Sequence, residues 1–194
     1  MENQNLTPEK SFELISQVIS EAKIRFEENG FIYAFWGLLG TVAALGQFFL
    51  LRNGYNDINY YPYFVMPLGA IYTGYYFYRK KQIRQNQISR LLSFSWMAIA
   101  LNIFILGFLL AGTLKQNLIP VILLFVGIGI IISAGAIKSR LILFSGIVIN
   151  FAGLVCFGLQ GIYQSLLSGI ASAIAILFPG IILMVQHKKG QQDV

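Results

Sequence analysis

Few side chains in this sequence could do acid–base, nucleophilic or metal chemistry. Of eight carboxylates, six precede residue 30, and no carboxylate occurs between residues 58 and 192. The single histidine, His187, stands beside two lysines, a setting typical of the membrane interface. Neither Ser145 nor the single cysteine, Cys156, has a histidine at a matching depth, and a metal site would need several such ligands. We therefore expect no catalysis, no metal and no cofactor.

The composition indicates the medium in which the chain folds. Hydrophobic residues make up 56% of the sequence and charged residues 11%, whereas a soluble domain has about a quarter charged. A hydrocarbon core requires about 20 apolar residues in a helix. Six stretches meet or approach this length, at 31–51, 62–78, 91–113, 118–137, 141–159 and 165–186. The predicted fold is all-α: a polytopic transmembrane bundle of about six spans over 30–187, with a cytosolic amphipathic helix in 1–29 and a cytosolic tail at 188–194.

The distribution of lysine and arginine predicts the orientation. With the N-terminus in the cytoplasm, twelve basic residues fall on the inner side, and only Arg52 and Lys115 fall in outer loops. Because basic loops stay in the cytoplasm, both termini are predicted there. The net charge of +6 is then explained by topology, and we expect the lipid bilayer rather than nucleic acid as the partner.

The spans also pair into three units of similar length. The distances are 43 residues from Trp36 to Arg79, 42 from Trp96 to Lys138 and 42 from Gly146 to Lys188. The first two units share a tryptophan at the entry and a proline at the outer edge, and the third has neither. Three tandem hairpins are one interpretation; equal spacing also follows simply from six spans with short loops.

Residues 8–29 have the pattern of an amphipathic helix. Its apolar residues recur in steps of three and four and form a single stripe, namely Phe12, Ile15, Ile19, Ala22 and Phe26. The other face has a net charge of −2, whereas helices that lie on anionic lipid usually carry a basic face. This favours contact with a protein: a second copy of the chain, another partner, or the chain's own basic segment 79–90. Packing along the membrane surface is the alternative.

Neutral polar and small residues are the remaining features of the spans. Gln47, Asn102 and Asn150 lie in apolar stretches, the two asparagines well inside theirs. There an amide either bonds to another helix or lines a pore. Small residues recur every four positions in the last span, where they let helix backbones approach closely. We take this row, made of Ser165, Gly169 and Ala173, as the predicted helix-packing surface.

The stretch ENGFIYAFWG at residues 28–37 resembles the entry into the first span of an uncharacterised family of short bacterial membrane proteins with six spans. The similarity covers about the first 40 residues, and beyond them only size and span count. It implies a bacterial cytoplasmic (inner) membrane location, and it brings no activity, ligand or catalytic residue with it.

Two hypotheses for function remain. The first is a non-enzymatic structural, regulatory or signal-relaying membrane protein that acts through its N-terminal helix and basic loop. The second is a channel or facilitator for a neutral or anionic solute, lined by the span amides. A wet and continuous interior favours the second, and a dry and packed one favours the first.

The topology can be tested with reporter fusions. A reporter active only in the periplasm should be inactive when fused after residue 84 or 139, because basic loops are retained in the cytoplasm, and active after residue 56 or 116. Immunoblots should show equal amounts of the four fusions. Periplasmic activity at 84 or 139 would overturn the orientation.

Overall fold

A computed structural model describes residues 16–18, 30–79 and 87–192, which form helices and turns without a strand. The predicted all-α class is therefore confirmed for this part of the chain. The long helices are α1 (Gly30–Arg52), α2 (Val65–Arg79), α3 (Gln87–Phe108), α4 (Leu118–Ile137), α5 (Arg140–Cys156), α6 (Gly161–Ser172) and α7 (Phe178–Gln192). Shorter pieces are 3-10 helices at Tyr61–Phe64 and Lys115–Asn117, a helical turn at Ala111–Leu114, and a π-helix at Ala173–Leu177 that joins α6 to α7.

Each of the six predicted apolar stretches lies on helical structure. Within 16–18, 30–79 and 87–192, four helical segments are long and apolar enough to cross a membrane: Gly30–Arg52, Arg90–Phe108, Ala111–Ile137 and Gly161–Gln186. The other two are shorter, since α5 has 17 residues and α2 has 15. The count of six spans therefore stays a prediction. The predicted N-terminal helix lies outside the described residues, except that 16–18 are helical.

Two predicted boundaries differ from the observed ones. The third stretch was expected to continue to residue 113, but α3 ends at Phe108. The amides of Leu109 and Leu110 both donate to the carbonyl of Ile105, and such paired bonds close a helix C-terminus. At the other end of the chain, α7 runs to Gln192 rather than ending near 187, because lysine and glutamine favour continued helix.

Pro179 lies inside the last span, which is helical on both sides of it. A proline inside a helix lacks an N–H and its ring clashes with the carbonyl four residues earlier, which here is that of Ala175. The π-helix at Ala173–Leu177 surrounds that carbonyl, and a wider turn relieves such a clash. Helix α7 then continues from Phe178.

The long helices pack as a row in the order α2, α1, α6/α7, α5, α4, α3. The most extensive contacts join α4 to α5 and α1 to the last span. Because these contacts cross between predicted hairpins, the hairpin grouping stays a prediction. A short link joins α4 to α5, with Lys138 in the left-handed region and Ser139 as the N-cap of α5, accepting from the amide of Ile142. The end helices α2 and α3 each have one substantial neighbour among the long helices, α1 and α4 respectively.

Glycines allow α1 to approach the last span at backbone distance. A Cβ built on Gly37 would overlap the backbone of Leu177, and one built on Gly180 would overlap the backbone of Ala34. A Cβ on Gly30 would lie 2.9 Å from that of Leu183. Any larger side chain at these positions would separate the helices. We call this contact the α1–α7 seam.

A tryptophan hydrogen bond joins each end helix to its neighbour, and the two bonds have the same pattern. Trp36 Nε1 donates to Thr73 Oγ1 at 3.1 Å, and Trp96 Nε1 donates to Ser133 Oγ at 3.0 Å, in both cases across 37 positions. Each hydroxyl in turn donates to the carbonyl of the glycine four residues before it, at 2.8 and 2.9 Å. The equal spacing and bonding support the predicted likeness of the first two units.

The α1–α7 seam yields a stability prediction. Gly37→Ala should lower the free energy of unfolding by about 1–3 kcal/mol, the usual cost of overpacking, because the methyl group has no space at Leu177. The measurement is helix content against the mole fraction of SDS in mixed micelles. Gly74→Ala is the matched control, since nothing lies within 4 Å of a Cβ there. An equal loss in both variants would contradict the proposed closeness of the seam.

Candidate functional site: a buried polar cluster around Gln47

Gln47 lies near the end of α1 and joins three separate parts of the chain. It is 2% exposed. Its Nε2 donates to Asn59 Oδ1 at 2.9 Å, and its Oε1 accepts from Ser165 Oγ at 2.7 Å and from Tyr63 OH at 3.2 Å. We call Gln47, Asn59, Tyr63 and Ser165 the Gln47 cluster. An amide of the first span thus bonds to the following turn, to the start of the second predicted span and to the sixth.

The turn after α1 brings two members of the cluster back to it. Gly54 adopts a φ of 81°, a left-handed conformation that glycine accepts without strain. Asn59 then donates to the carbonyl oxygen of Asn56, which holds the turn together. Pro62 lies in the first turn of the 3-10 helix, where a missing N–H costs nothing. A Cβ on Gly46 would lie 3.1 Å from Pro62, so the returning chain runs close against α1.

Gln164 extends the polar region toward the end of α5. It is 1% exposed, and its Nε2 donates to the carbonyls of Cys156 and Leu159 at 2.9 and 3.0 Å. These carbonyls lie at or just after the C-terminus of α5, where a helix leaves acceptors unsatisfied. Its Oε1 is buried and accepts no hydrogen bond from the described residues. The side chain therefore acts as a cap that links α5 to α6.

The chemistry available to this site is hydrogen bonding. The Gln47 cluster contains amides and hydroxyls, and it holds no carboxylate, imidazole or amine. Ser165 Oγ also lies 3.0 Å from the carbonyl oxygen of Gly161, which shares the single hydroxyl hydrogen with Gln47. Ser168 donates to the carbonyl of Ser165 at 3.0 Å. Among the residues that the structure describes, no group of three or more His, Cys, Asp or Glu could hold a metal ion. The arrangement can hold helices together but offers no group to transfer a proton at neutral pH.

The three predicted amides do not come together. Only Gln47 bonds between elements. Asn102 is exposed on α3, where its Nδ2 donates to the carbonyl of Ala98, at 2.8 Å. Asn150 is half-buried on α5, and its backbone would lie 2.8–2.9 Å from a Cβ on Gly127 of α4. Because α4 lies between α3 and α5 in the row, Asn102 and Asn150 do not line a common path.

The predicted packing row of the last span lies partly on the α1 contact. Ser165 is fully buried in the Gln47 cluster, and a Cβ on Gly169 would lie 2.8 Å from Leu45 of α1. Ala173 is half-buried at the first position of the π-helix. The predicted partner face, made of Phe12, Ile15, Ile19, Ala22 and Phe26, lies outside the described residues.

Sequence reasoning missed Asn59, Tyr63 and Gln164. Asn59 and Gln164 stand between the predicted apolar stretches, and Tyr63 stands at the start of the second one. A usable signal was present for Gln164: it immediately precedes an apolar span and follows the end of another, the position of a side chain that caps orphan carbonyls. The partners of Gln47 leave no comparable periodic signal.

The surface formed by the described residues includes a polar-rimmed groove and an apolar one. One, of about 450 Å³, is lined by Tyr72, Tyr75, Tyr76 and Arg79 at the end of α2. There the guanidinium carbon of Arg79 lies 5.1 Å from the centre of the Tyr75 ring, a cation–π contact. The other, of about 410 Å³, is an apolar trough between α5 and α6 that includes Phe151 and Leu167.

Comparison of the chain with protein-family models, with curated proteins and with solved structures gave no match.

The Gln47 cluster yields a second stability prediction. Gln47→Leu should lower the free energy of unfolding by about 1–3 kcal/mol, because it leaves buried partners without hydrogen bonds. Denaturation in mixed micelles measures this, with Gln116→Leu, at an exposed position, as the control. Combined with Ser165→Ala, the loss should be less than additive, since the two residues share one bond. Fully additive losses would show that the bond contributes nothing.

Proposed function

We propose that this protein is a non-enzymatic membrane protein of structural, regulatory or signal-relaying function. In this proposal its helices cross a bacterial cytoplasmic membrane six times, and both termini lie in the cytoplasm. The bundle anchors the chain, and the N-terminal amphipathic helix contacts a protein partner or a second copy. Four helical segments long and apolar enough to cross a membrane support the location, and the placement of basic residues supports the orientation.

The use of polar groups inside the bundle is the observation that carries the proposal. A transport path needs polar groups free to exchange partners with a solute. In the Gln47 cluster, the amide of Gln47 and the hydroxyls of Tyr63 and Ser165 are all engaged with protein groups. The α1–α7 seam brings the backbones of the same two helices into contact. These features favour a rigid, packed bundle over a conducting one.

The inner end of α2 supports the proposed orientation. Arg79 with Tyr75 forms a basic and aromatic end, as expected for a helix that meets the cytoplasmic headgroup layer. The sequence from Arg79 to Arg90 carries five positive charges and no acid. It is complementary to the net negative charge of the N-terminal segment, which makes these two parts of the chain candidates for regulated contact.

The N-terminal stripe is tested by replacing Phe12, Ile15 and Ile19 with serine in the full chain. Because the apolar stripe is the proposed contact surface, the variant should lose at least about tenfold in cytosolic self-association or partner recovery, the loss expected from removing anchor side chains worth over 1 kcal/mol. Quantitative crosslinking with a lysine-specific reagent in intact membranes measures this loss. The control is a variant in which three residues on the polar side are replaced, Glu13→Gln, Ser16→Gln and Ser20→Gln. An unchanged crosslinking profile in the stripe variant counts against the proposal.

Liposome flux tests the channel alternative. Protein-containing vesicles should take up glycerol, urea or chloride no faster than empty ones. Protein-dependent flux that disappears in Asn150→Leu would replace our proposal with the solute facilitator, because that amide was the predicted pore residue on α5.

A further inference from the structure

Asn102 is a polar side chain in an apolar and outward-facing setting. The membrane-length segment Arg90–Phe108 of α3 is strongly apolar, and Ile99 is its single buried residue. Asn102 lies within this segment and is exposed. Its Nδ2 donates to the carbonyl of Ala98 at 2.8 Å. Within the described part of the chain, its Oδ1 accepts no hydrogen bond.

Lipid cannot satisfy this amide, because acyl chains offer neither donors nor acceptors. An unpaired amide in hydrocarbon is costly, and membrane helices pair such side chains with one another. The neighbouring helix α4 does not supply a partner. The face of α3 that contacts α4 carries Ile99, which is buried, and Trp96, which bonds to Ser133. Successive residues of a helix are about 100° apart, so Asn102 points about 60° away from Ile99 and about 120° away from Trp96.

The residues that share the Asn102 face have the spacing of a helix-pairing surface. They recur in steps of four and three, the heptad pattern of two helices packed side by side: Leu91, Ser95, Ala98, Asn102 and Ile105. Small residues lie at its centre, as membrane helix interfaces favour. A second outward-facing side, about 100° further round the helix, is made of large apolar residues, which suit lipid: Met97, Leu101, Phe104 and Phe108.

We propose that α3 is a homodimerisation helix, in which Asn102 of one copy hydrogen-bonds to Asn102 of a second copy. All copies of a membrane protein insert with the same orientation, so Asn102 lies at the same depth in each. In a two-fold symmetric pair, residues near the axis meet their own equivalents. An amide carries both donors and an acceptor, so two identical amides are complementary. A second copy therefore provides a complementary amide at the same membrane depth and a helix face with the same heptad spacing. This inference does not rest on the proposed role of the N-terminal helix.

Disulfide trapping tests which face of α3 meets the second copy. The full chain carrying Ala98→Cys is oxidised in native membranes and compared with Ala100→Cys. Ala100 is also exposed and points about 160° away on the helix. We expect a disulfide-linked dimer for Ala98→Cys at a yield at least about fivefold above that of Ala100→Cys. The unmodified chain, whose only cysteine is fully buried, is the blank. Equal yields at both positions, or no dimer at 98, would overturn the proposal.

Energy transfer between donor-labelled and acceptor-labelled full chains in liposomes tests the amide itself. Asn102→Leu should weaken dimerisation about tenfold, as expected for an interhelical amide bond, and Asn102→Gln should retain most of it. Because the side chain is exposed in the monomer, Asn102→Leu should leave the unfolding midpoint of the monomer in dilute micelles unchanged. Unaltered dimerisation in Asn102→Leu, or a monomer at every protein-to-lipid ratio, would contradict the proposal. Dimers trapped at 98 should persist when the N-terminal stripe is replaced, which separates this face from that helix.

Discussion

The bundle depends on how closely the backbone of the first long helix approaches that of the last. Helices in lipid gain little from the hydrophobic effect when they pair, so they associate through van der Waals contact and interhelical hydrogen bonds. Gly37 and Gly180 remove the side chains that would keep α1 and the last span apart. This contact joins the first long helix to the last. In the row, α2 therefore lies on one side of α1 and the remaining helices lie on the other.

The same pair of helices is held differently along its length. Toward the start of α1 the contact is made of backbone atoms and glycines, next to the π-helix at Ala173–Leu177. Toward the end of α1 it is made of hydrogen bonds, because Gln47 accepts from Ser165. A wide helical turn and a buried amide are both costly features in isolation, and here they lie on the same interface. Each is compensated by the helix opposite, which makes α1 and the last span interdependent.

The positions of the helices along the chain follow from the sequence, but the arrangement of the helices in the row does not. Hydropathy predicts where helices lie, since apolar runs of about 20 residues are visible directly. It does not predict which helices end up at the edges of the row. Asn102 and Asn150 were expected inside the bundle for this reason, although α3 turned out to be an edge helix. Gln47 was identified as a candidate, but Asn59 and Tyr63 reach it only through a turn. Residues that come together only because the chain turns back on itself leave no periodic pattern in the sequence.

Both tryptophans of the chain take part in the equivalent bonds that attach the edge helices, Trp36 to α2 and Trp96 to α4. The intrinsic indole emission of this protein therefore reports on the attachment of its two flanks. Release of α2 quenches or shifts one indole, and release of α3 from α4 affects the other. Separation of α5 from α6 takes place away from both rings, so it does not change the indole emission. A fluorescence transition that precedes the circular-dichroism transition would thus show that a flank detaches before the helices themselves unfold.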